Sequence, residues 1–245
     1  MLTQITPRCF YLANDHETDR PCLGYVRGDR YSLMIDAGNS PAHHRLFLDA
    51  VSAAGLPFPS AIAITHSHWD HTYGMCATQC PTLVNDKTQA HLEQMSRWAW
   101  NLPAMEERLR TREDIPFCHD CILKEYPDLS AIRVVTGDMI YRGSLTLDLG
   151  GVHAELLHLE NSHADDCTIV YIPEDKMIFL GDITCDDLHH EPRCIHQSRF
   201  DALRRSLTEL DFTLALEGHY ERACTKEEIL ASLDEVVAET EAILP

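Results

Sequence analysis

Within Thr65-His66-Ser67-His68-Trp69-Asp70-His71, three histidines and an aspartate fall inside six residues, directly after the apolar run Ala61-Ile62-Ala63-Ile64. Neutral imidazole and carboxylate are ligands for first-row metals, and a short loop leaving a rigid strand can aim several of them at one point. Packing gives no reason to crowd such groups. Three later segments repeat the pattern of an apolar run that ends in a ligand-type residue. Val152 to Leu159 leads into Glu160-Asn161-Ser162-His163, Met177-Ile178-Phe179-Leu180 into Gly181-Asp182, and Thr213-Leu214-Ala215-Leu216 into Glu217-Gly218-His219. Short continuous apolar runs read as strands buried on both faces, and residues distant in sequence meet at the ends of such strands. Gly181 and Gly218 directly precede their ligands, which suits a tight exit from a strand.

Taken in order, His-x-His-x-Asp-His, a later His, an Asp and a last His, the set resembles the metallo-β-lactamase superfamily. Cys22-Leu-Gly-Tyr-Val and Tyr31-Ser-Leu-Met-Ile-Asp36-Ala-Gly38 are similar to that family's opening hairpin, which ends in Asp-x-Gly. The resemblance implies an α/β fold, a four-layer αββα sandwich. It also implies that His66, His68 and His163 hold one metal, that Asp70, His71 and His219 hold another, and that Asp182 bridges the two. Asp70 and Asp182 would then be the catalytic carboxylates, beside a metal-bound hydroxide that acts as nucleophile. His163 is preferred to His158 as the third ligand. His158 alternates with Val152, Ala154 and Leu156 inside the apolar run, as a half-buried strand histidine does, whereas His163 lies beyond the run and before Thr168-Ile169-Val170-Tyr171-Ile172.

The chemistry follows from the donors. Two cations sharing a water would lower its pKa from about 15.7 to roughly 7, polarise a carbonyl or phosphoryl oxygen and accept the leaving atom. Nitrogen and carboxylate donors without cysteine suit zinc, two ions per chain, with iron or manganese as the other metals such a set takes. The common zinc β-lactamases are exported and carry cysteine where this chain has Asp182, which argues against antibiotic hydrolysis as the native task. Asp182 with both histidine pairs is more similar to the glyoxalase II and lactonase-like hydrolases. The C-terminal helical domain of glyoxalase II has no counterpart in the 26 residues after His219. The expected enzyme is therefore a metal-dependent hydrolase of a small ester, thioester, lactone or related bond. The alternatives are an iron-dependent oxidoreductase of the persulfide dioxygenase type, β-lactam hydrolysis as a side or native activity, and a metal-stabilised scaffold without catalysis.

The remaining residues must position these groups. With 44% hydrophobic residues, 245 residues are enough for one metallo-β-lactamase-like domain over 1–245, carrying a helical insertion at about 86–130. Trp98, Trp100, Met95 and Met105 make that insertion readable either as a wall of the substrate site or as extra core. Ser40-Pro41 predicts a helix with Leu46, Leu48, Val51 and Ala54 on its apolar side, ending near Gly55. Ser198 and Thr225 read as further caps, and Thr225-Lys-Glu-Glu228 fits a capping box.

A net charge of −19 opposes a phosphate backbone, so the expected partner is a small molecule and not nucleic acid. The sequence shows no export signal and no uninterrupted apolar run of eighteen residues, which predicts a cytoplasmic protein with no membrane partner. Its ten cysteines then read as reduced thiols, including Cys76, Cys80 and the pair in Cys118-His-Asp-Cys121. His43, His44, His119, His189 and His190 are expected to be solvated. Tyr220, Asp165 and Asp166 are candidates to orient the ligand imidazoles.

Overall fold

The computed structural model describes residues 1–245. A first sheet has the order β1 (Leu2–Gln4), β2 (Cys9–Leu12), β3 (Leu23–Arg27), β4 (Ser32–Ile35), β5 (Ala61–Ala63), β6 (Thr82–Asn85) and β7 (Met139–Tyr141). Its first four strands are antiparallel hairpin neighbours, and β4 to β7 run parallel. The second sheet contains β8 (Ser144–Asp148), β9 (His153–His158), β10 (Thr168–Ile172), β11 (Met177–Gly181), β13 (Leu214–Glu217) and β14 (Cys224–Thr225). Within it β11 and β13 are parallel neighbours, whereas β12 (Cys194–His196) pairs only with β15 (Ala242–Leu244).

Alternation along the strands explains the layers. Leu33, Ile35 and Ala63 from the first sheet meet Leu156, Val170 and Phe179 from the second in one core between the sheets. The intervening residues Met34, Ile62 and Val84 face outward and pack under α1 (Pro41–Ala53) and α3 (Asp86–Met95). On the other side, Ile169, Ile178 and Ala215 pack under α6 (Gln197–Glu209) and α7 (Lys226–Glu239). Both faces of each central strand are therefore buried, which is why those strands read as unbroken apolar runs. The result is the expected αββα order of layers.

Local signals met mixed outcomes. Ser40 caps α1 by accepting the His43 amide at 3.0 Å, and Thr225 and Glu228 form the full capping box of α7. The buried side of α1 is His43, His44, Phe47, Ala50 and Val51, while Leu46 and Ala54 point to solvent. Of the expected stripe, Val51 is buried and Leu48 packs against the same core, whereas the place of Leu46 is taken by Phe47, whose ring lies 6.4 Å from that of Tyr25 on the sheet. Ser198 lies inside the first turn of α6. His196 stands at that cap, and its amide donates to Ser162 Oγ at 2.9 Å.

Residues 86–130 are mainly helical: α3 is followed by α4 (Leu102–Thr111) and α5 (Pro116–Glu125). Met105, Ile122 and Tyr126 build a small core on Trp69 and Tyr73. The end of α5 is tied to the opening hairpin. Arg20 donates to both Glu125 oxygens, at 2.8 and 3.2 Å, Ser40 Oγ donates to Glu125, and Tyr126 Oη donates to Asn39 O at 3.0 Å. No helix is long and apolar enough to cross a membrane, and all ten cysteines are unpaired.

Candidate metal centre

At one end of the sandwich the C-terminal ends of β4, β5, β11 and β13 come together with the β9–β10 loop. Two backbone bonds fix the meeting: Thr168 N donates to Thr65 O at 2.7 Å across the sheets, and Gly218 N donates to Gly181 O at 2.8 Å between strand ends. After β5 the chain passes through His66 and His68 into the single turn α2 (Trp69–Thr72), which carries Asp70 and His71. Asp182 and His219 sit close together because β11 and β13 run parallel, and a one-residue bulge after Phe179 brings Gly181 opposite Glu217.

Both glycines predicted at these exits are required by geometry. A Cβ on Gly218 would lie 2.1 Å from Asp182 Oδ1. Gly181 has φ +55°, a left-handed conformation, and a Cβ there would come within 2.7 Å of Thr65 Oγ1.

The seven expected ligand residues form two groups. In each, one donor atom per residue lies within 4.8 Å of the others: His66, His68 and His163 in one, and Asp70, His71, Asp182 and His219 in the other. In the first, His68 Nδ1 faces His66 Nε2 at 3.1 Å and His163 Nε2 at 3.0 Å. In the second, Asp70 Oδ2 is 3.0 Å from His71 Nε2 and 3.2 Å from His219 Nε2. Asp182 Oδ2 reaches into both groups, at 3.4 Å from His71 Nε2, 3.2 Å from His219 Nε2 and 4.0 Å from His163 Nε2. His158 stays outside, with Nδ1 at 2.8 Å from Cys167 O.

The residues present fit metal ions. His71 Nε2 is buried near two carboxylates yet makes no hydrogen bond, and Asp182 Oδ1 is buried without a partner as well. Three ring nitrogens converge at His68, where at most some of the contacts can carry a proton. Buried polar atoms normally find partners, and donors converging this way are satisfied together by cations.

Electrostatics separates the groups. Burial, reinforced by neighbouring imidazoles, holds His66 and His68 well below the ordinary histidine value. Burial would also depress His71 and His219, but for His71 the charges of Asp70, Asp182 and Asp36 prevail, and for His219 those of Asp182 and Asp70. Both are raised. Asp182 and Asp70 are lowered, their burial being outweighed by the same histidines.

The residues that orient the imidazoles are not the expected ones. Asp36, at the end of the opening hairpin with φ +60°, faces His71 Nδ1 at 2.8 Å and accepts Thr65 N at 2.7 Å and Thr65 Oγ1 at 2.9 Å. Thr65 Oγ1 is 3.1 Å from His66 Nδ1, and His163 Nδ1 is 3.2 Å from Asp186 O. Asp19 Oδ1 lies 3.7 Å from His219 Nδ1; its carboxyl is pushed up to about 7 by burial and then by Asp70. Glu217 Oε2 accepts the His219 amide at 2.8 Å, and burial followed by the charge of Asp182 raises it to about 7.

Asp165 instead pairs with His91 at 2.7 Å, Asp166 is enclosed, and Tyr220 bonds no site imidazole. Asp36 was visible in the Asp-x-Gly motif, but nothing in the sequence tied it to His71, thirty-five positions away.

Several histidines expected in solvent are not there. His43 and His44 are buried in α1, and the His119 ring is largely covered. His189 stands over the centre with its ring 5.2 Å from that of His68.

Two cavities adjoin the donors. One, of about 260 Å³, lies over Asp70, Asp182 and His219 and is walled by Ile115, Phe117 and Cys118 from the α5 region. The other, of about 300 Å³, opens from His68 and His163 toward Met95 and Trp98. The 86–130 segment therefore both adds core, through Trp100 and Met105, and walls the site, through Trp98 and Phe117.

Residues 23–75 match the family model described as the metallo-beta-lactamase superfamily. Among solved structures, a metallo-beta-lactamase from Pontibacter korlensis superimposes with a TM-score of 0.70 at 17% identity, covering 98% of this chain and 99% of that one. A motif mutant of a metallo-beta-lactamase from Cronobacter sakazakii gives 0.67 at 17% identity, with 97% and 94% covered. The stereoselective inverting sec-alkylsulfatase Pisa1 from Pseudomonas sp. gives 0.66 at 14% identity, covering 96% of this chain and 40% of that larger one. No curated protein sequence matches the chain. At these identities the likeness is one of fold, and it agrees with the resemblance carried by the sequence motif.

Proposed function

Proceeding from a metallo-β-lactamase fold with its strand-end donors assembled, we propose that the protein is a dinuclear, zinc-dependent hydrolase. Its substrate is a small ester, thioester or lactone, the class suggested by the likeness of its donor set to glyoxalase II and the lactonase-like enzymes. The observation that carries this reading is the position of Asp182, whose Oδ2 reaches donors of both groups. His66, His68 and His163 would hold one ion and Asp70, His71 and His219 the other, with Asp182 between them. Bound there, a pair of divalent ions supplies a water acidified from about 15.7 to roughly 7 and an electrophile for the oxygen of the scissile bond.

The chain's own residues prepare that chemistry. Asp36 takes the Nδ1 side of His71 and so leaves Nε2 facing the centre. Thr65 and the Asp186 carbonyl do the same for His66 and His163. Gly218 lets the His219 loop approach Asp182 as closely as a hydrogen atom permits. Asp70, buried and held ionised by His71 and His219, is placed to fix the direction of a water by accepting its hydrogen bond. The walls formed by Ile115, Phe117 and Trp98 restrict water around the reacting bond.

Elemental analysis of the purified protein, followed by turnover of an ester, thioester and lactone panel, tests the reading. Two zinc ions per chain and hydrolysis that disappears in His68→Ala are expected. Stoichiometric iron with oxygen uptake on a persulfide would overturn it in favour of the dioxygenase-type alternative.

A further inference from the structure

The cavity of about 300 Å³ beside His68 and His163 has a composition the metal centre does not require. Aromatic side chains of Trp69, Tyr73 and Trp98 face a set of carboxylates, Glu113, Asp114, Asp165 and Asp166, and no lysine or arginine lines it. The smaller cavity over Asp182 also lacks both. A substrate entering from this side meets neither lysine nor arginine, and His91 in the lining is already taken up by Asp165 at 2.7 Å.

Two of the four carboxylates are buried and poorly satisfied. Asp114 is only 8% exposed and accepts a single hydrogen bond, from its neighbour Ile115 N at 2.9 Å. Asp166 is wholly enclosed, and neither of its oxygens accepts a hydrogen bond. The Arg108 guanidinium, which could have paired with Asp114, is stacked on Trp98 and Trp100 at 4.6 and 4.5 Å and donates to Ala99 O. Buried carboxylates without a direct ion pair are costly, and burial raises both Asp114 and Asp166 against the weaker opposing charges of His189 and Arg108 on the first and His91 on the second. Glu113 and Asp165 are exposed at the rim, where their charge draws cations toward the mouth.

Aromatic rings and carboxylates around one recess are the arrangement that binds an organic ammonium, through cation–π attraction and ion pairing without a rigid donor pattern. We propose that this cavity is a subsite for an organic ammonium group of the substrate, held beside Asp114 among the Trp69, Tyr73 and Trp98 rings. Where the cleaved bond lies, over His68 and His163, rests on the hydrolase reading; binding of the cation does not. The inference excludes substrates whose non-reacting end is a carboxylate or phosphate, because nothing in either cavity neutralises a second anion.

The test uses choline and its uncharged carbon isostere, 3,3-dimethylbutan-1-ol, titrated into the full-length protein as purified and after zinc loading, with tryptophan fluorescence and calorimetry as readouts. Choline should bind at least ~10-fold more tightly than the isostere. Asp114→Asn should reduce that preference to within about twofold. Should Asp114→Asn fail to fold, Asp165→Asn at the exposed rim should lower the preference by a smaller factor. Equal binding of the two probes, or no binding of either, overturns the subsite.

Acetylcholine and 3,3-dimethylbutyl acetate then separate the two ideas on zinc-loaded protein. A kcat/KM ratio of at least ~10 in favour of the cationic ester supports both. Hydrolysis of the two esters at one rate overturns the subsite and leaves the hydrolase. A binding preference for choline with no turnover of these esters or of the thioester and lactone panel supports the subsite and overturns the hydrolase.

Discussion

His66, His68 and His163 make a group with no formal charge, whereas a few ångströms away Asp70, His71, Asp182 and His219 make one with two carboxylates. Both arise from the same kind of strand end. For His66 and His68 of the trio, burial favours the neutral imidazole; in the quartet, carboxylates prevail over burial at His71 and His219. Neutral nitrogen discriminates among metals by ligand preference, and carboxylate attracts any divalent cation by charge. The contrast therefore assigns selectivity to the trio and charge attraction to the quartet, with Asp182 as the carboxylate whose oxygen lies near donors of both.

The largest effect should come from breaking that link. Asp182→Asn removes the shared charge, and activity should fall by at least ~10²-fold, more than the loss expected for an orienting residue, together with metal content in both groups. Loss of only one ion by elemental analysis would show that the groups are independent.

Comparing His68→Ala with Asp70→Ala comes next. Each should retain about one ion per chain, but manganese, which prefers oxygen donors, should stay with His68→Ala and be lost from Asp70→Ala. If both variants keep manganese equally, the division between the groups is wrong.

Asp36→Asn acts from outside the quartet. It should lower metal affinity by roughly 10–100-fold, the cost typical of disturbing an orienting carboxylate, and leave the trio's ion in place. Equal weakening of both ions in a competition with a chelator would break the asymmetry.

A control outside both groups concerns His43, buried in α1 and lowered to about 3, first by burial and then by Arg20. The unfolded chain takes up this proton near 6.5, but the folded chain only near 3. Stability is therefore fully present above about 6.5 and falls by up to ~1.4 kcal/mol per pH unit as the pH drops from there toward 3. His43→Gln should flatten that part of the stability–pH profile in chemical denaturation. An unchanged slope would mean that the proton is taken up elsewhere.

How much could be read in advance depended on range. The strand runs, the Asp182 and His219 exits with their glycines, and the Thr225 box are written in neighbouring residues, and the structure places each as the pattern requires. On α1, Val51 and Leu48 face the core as the pattern requires, but Leu46 gives way to Phe47, which meets Tyr25 on the sheet below. His189 looked like a loop histidine. The chain after Asp182 folds back over His68, a path that no local pattern specifies.

The sequence by itself determined the types of donor, their order along the chain and the short exits from strands that carry them, because ligand chemistry and strand periodicity are local properties. Long-range packing alone set Asp182 between the two groups, turned Asp36 and Thr65 toward their imidazoles, and brought Asp114 and Asp166 to a cavity that no lysine or arginine lines. The physical reason is that an electrostatic environment is a sum over neighbours in space, and here those neighbours come from both sheets and the inserted helices.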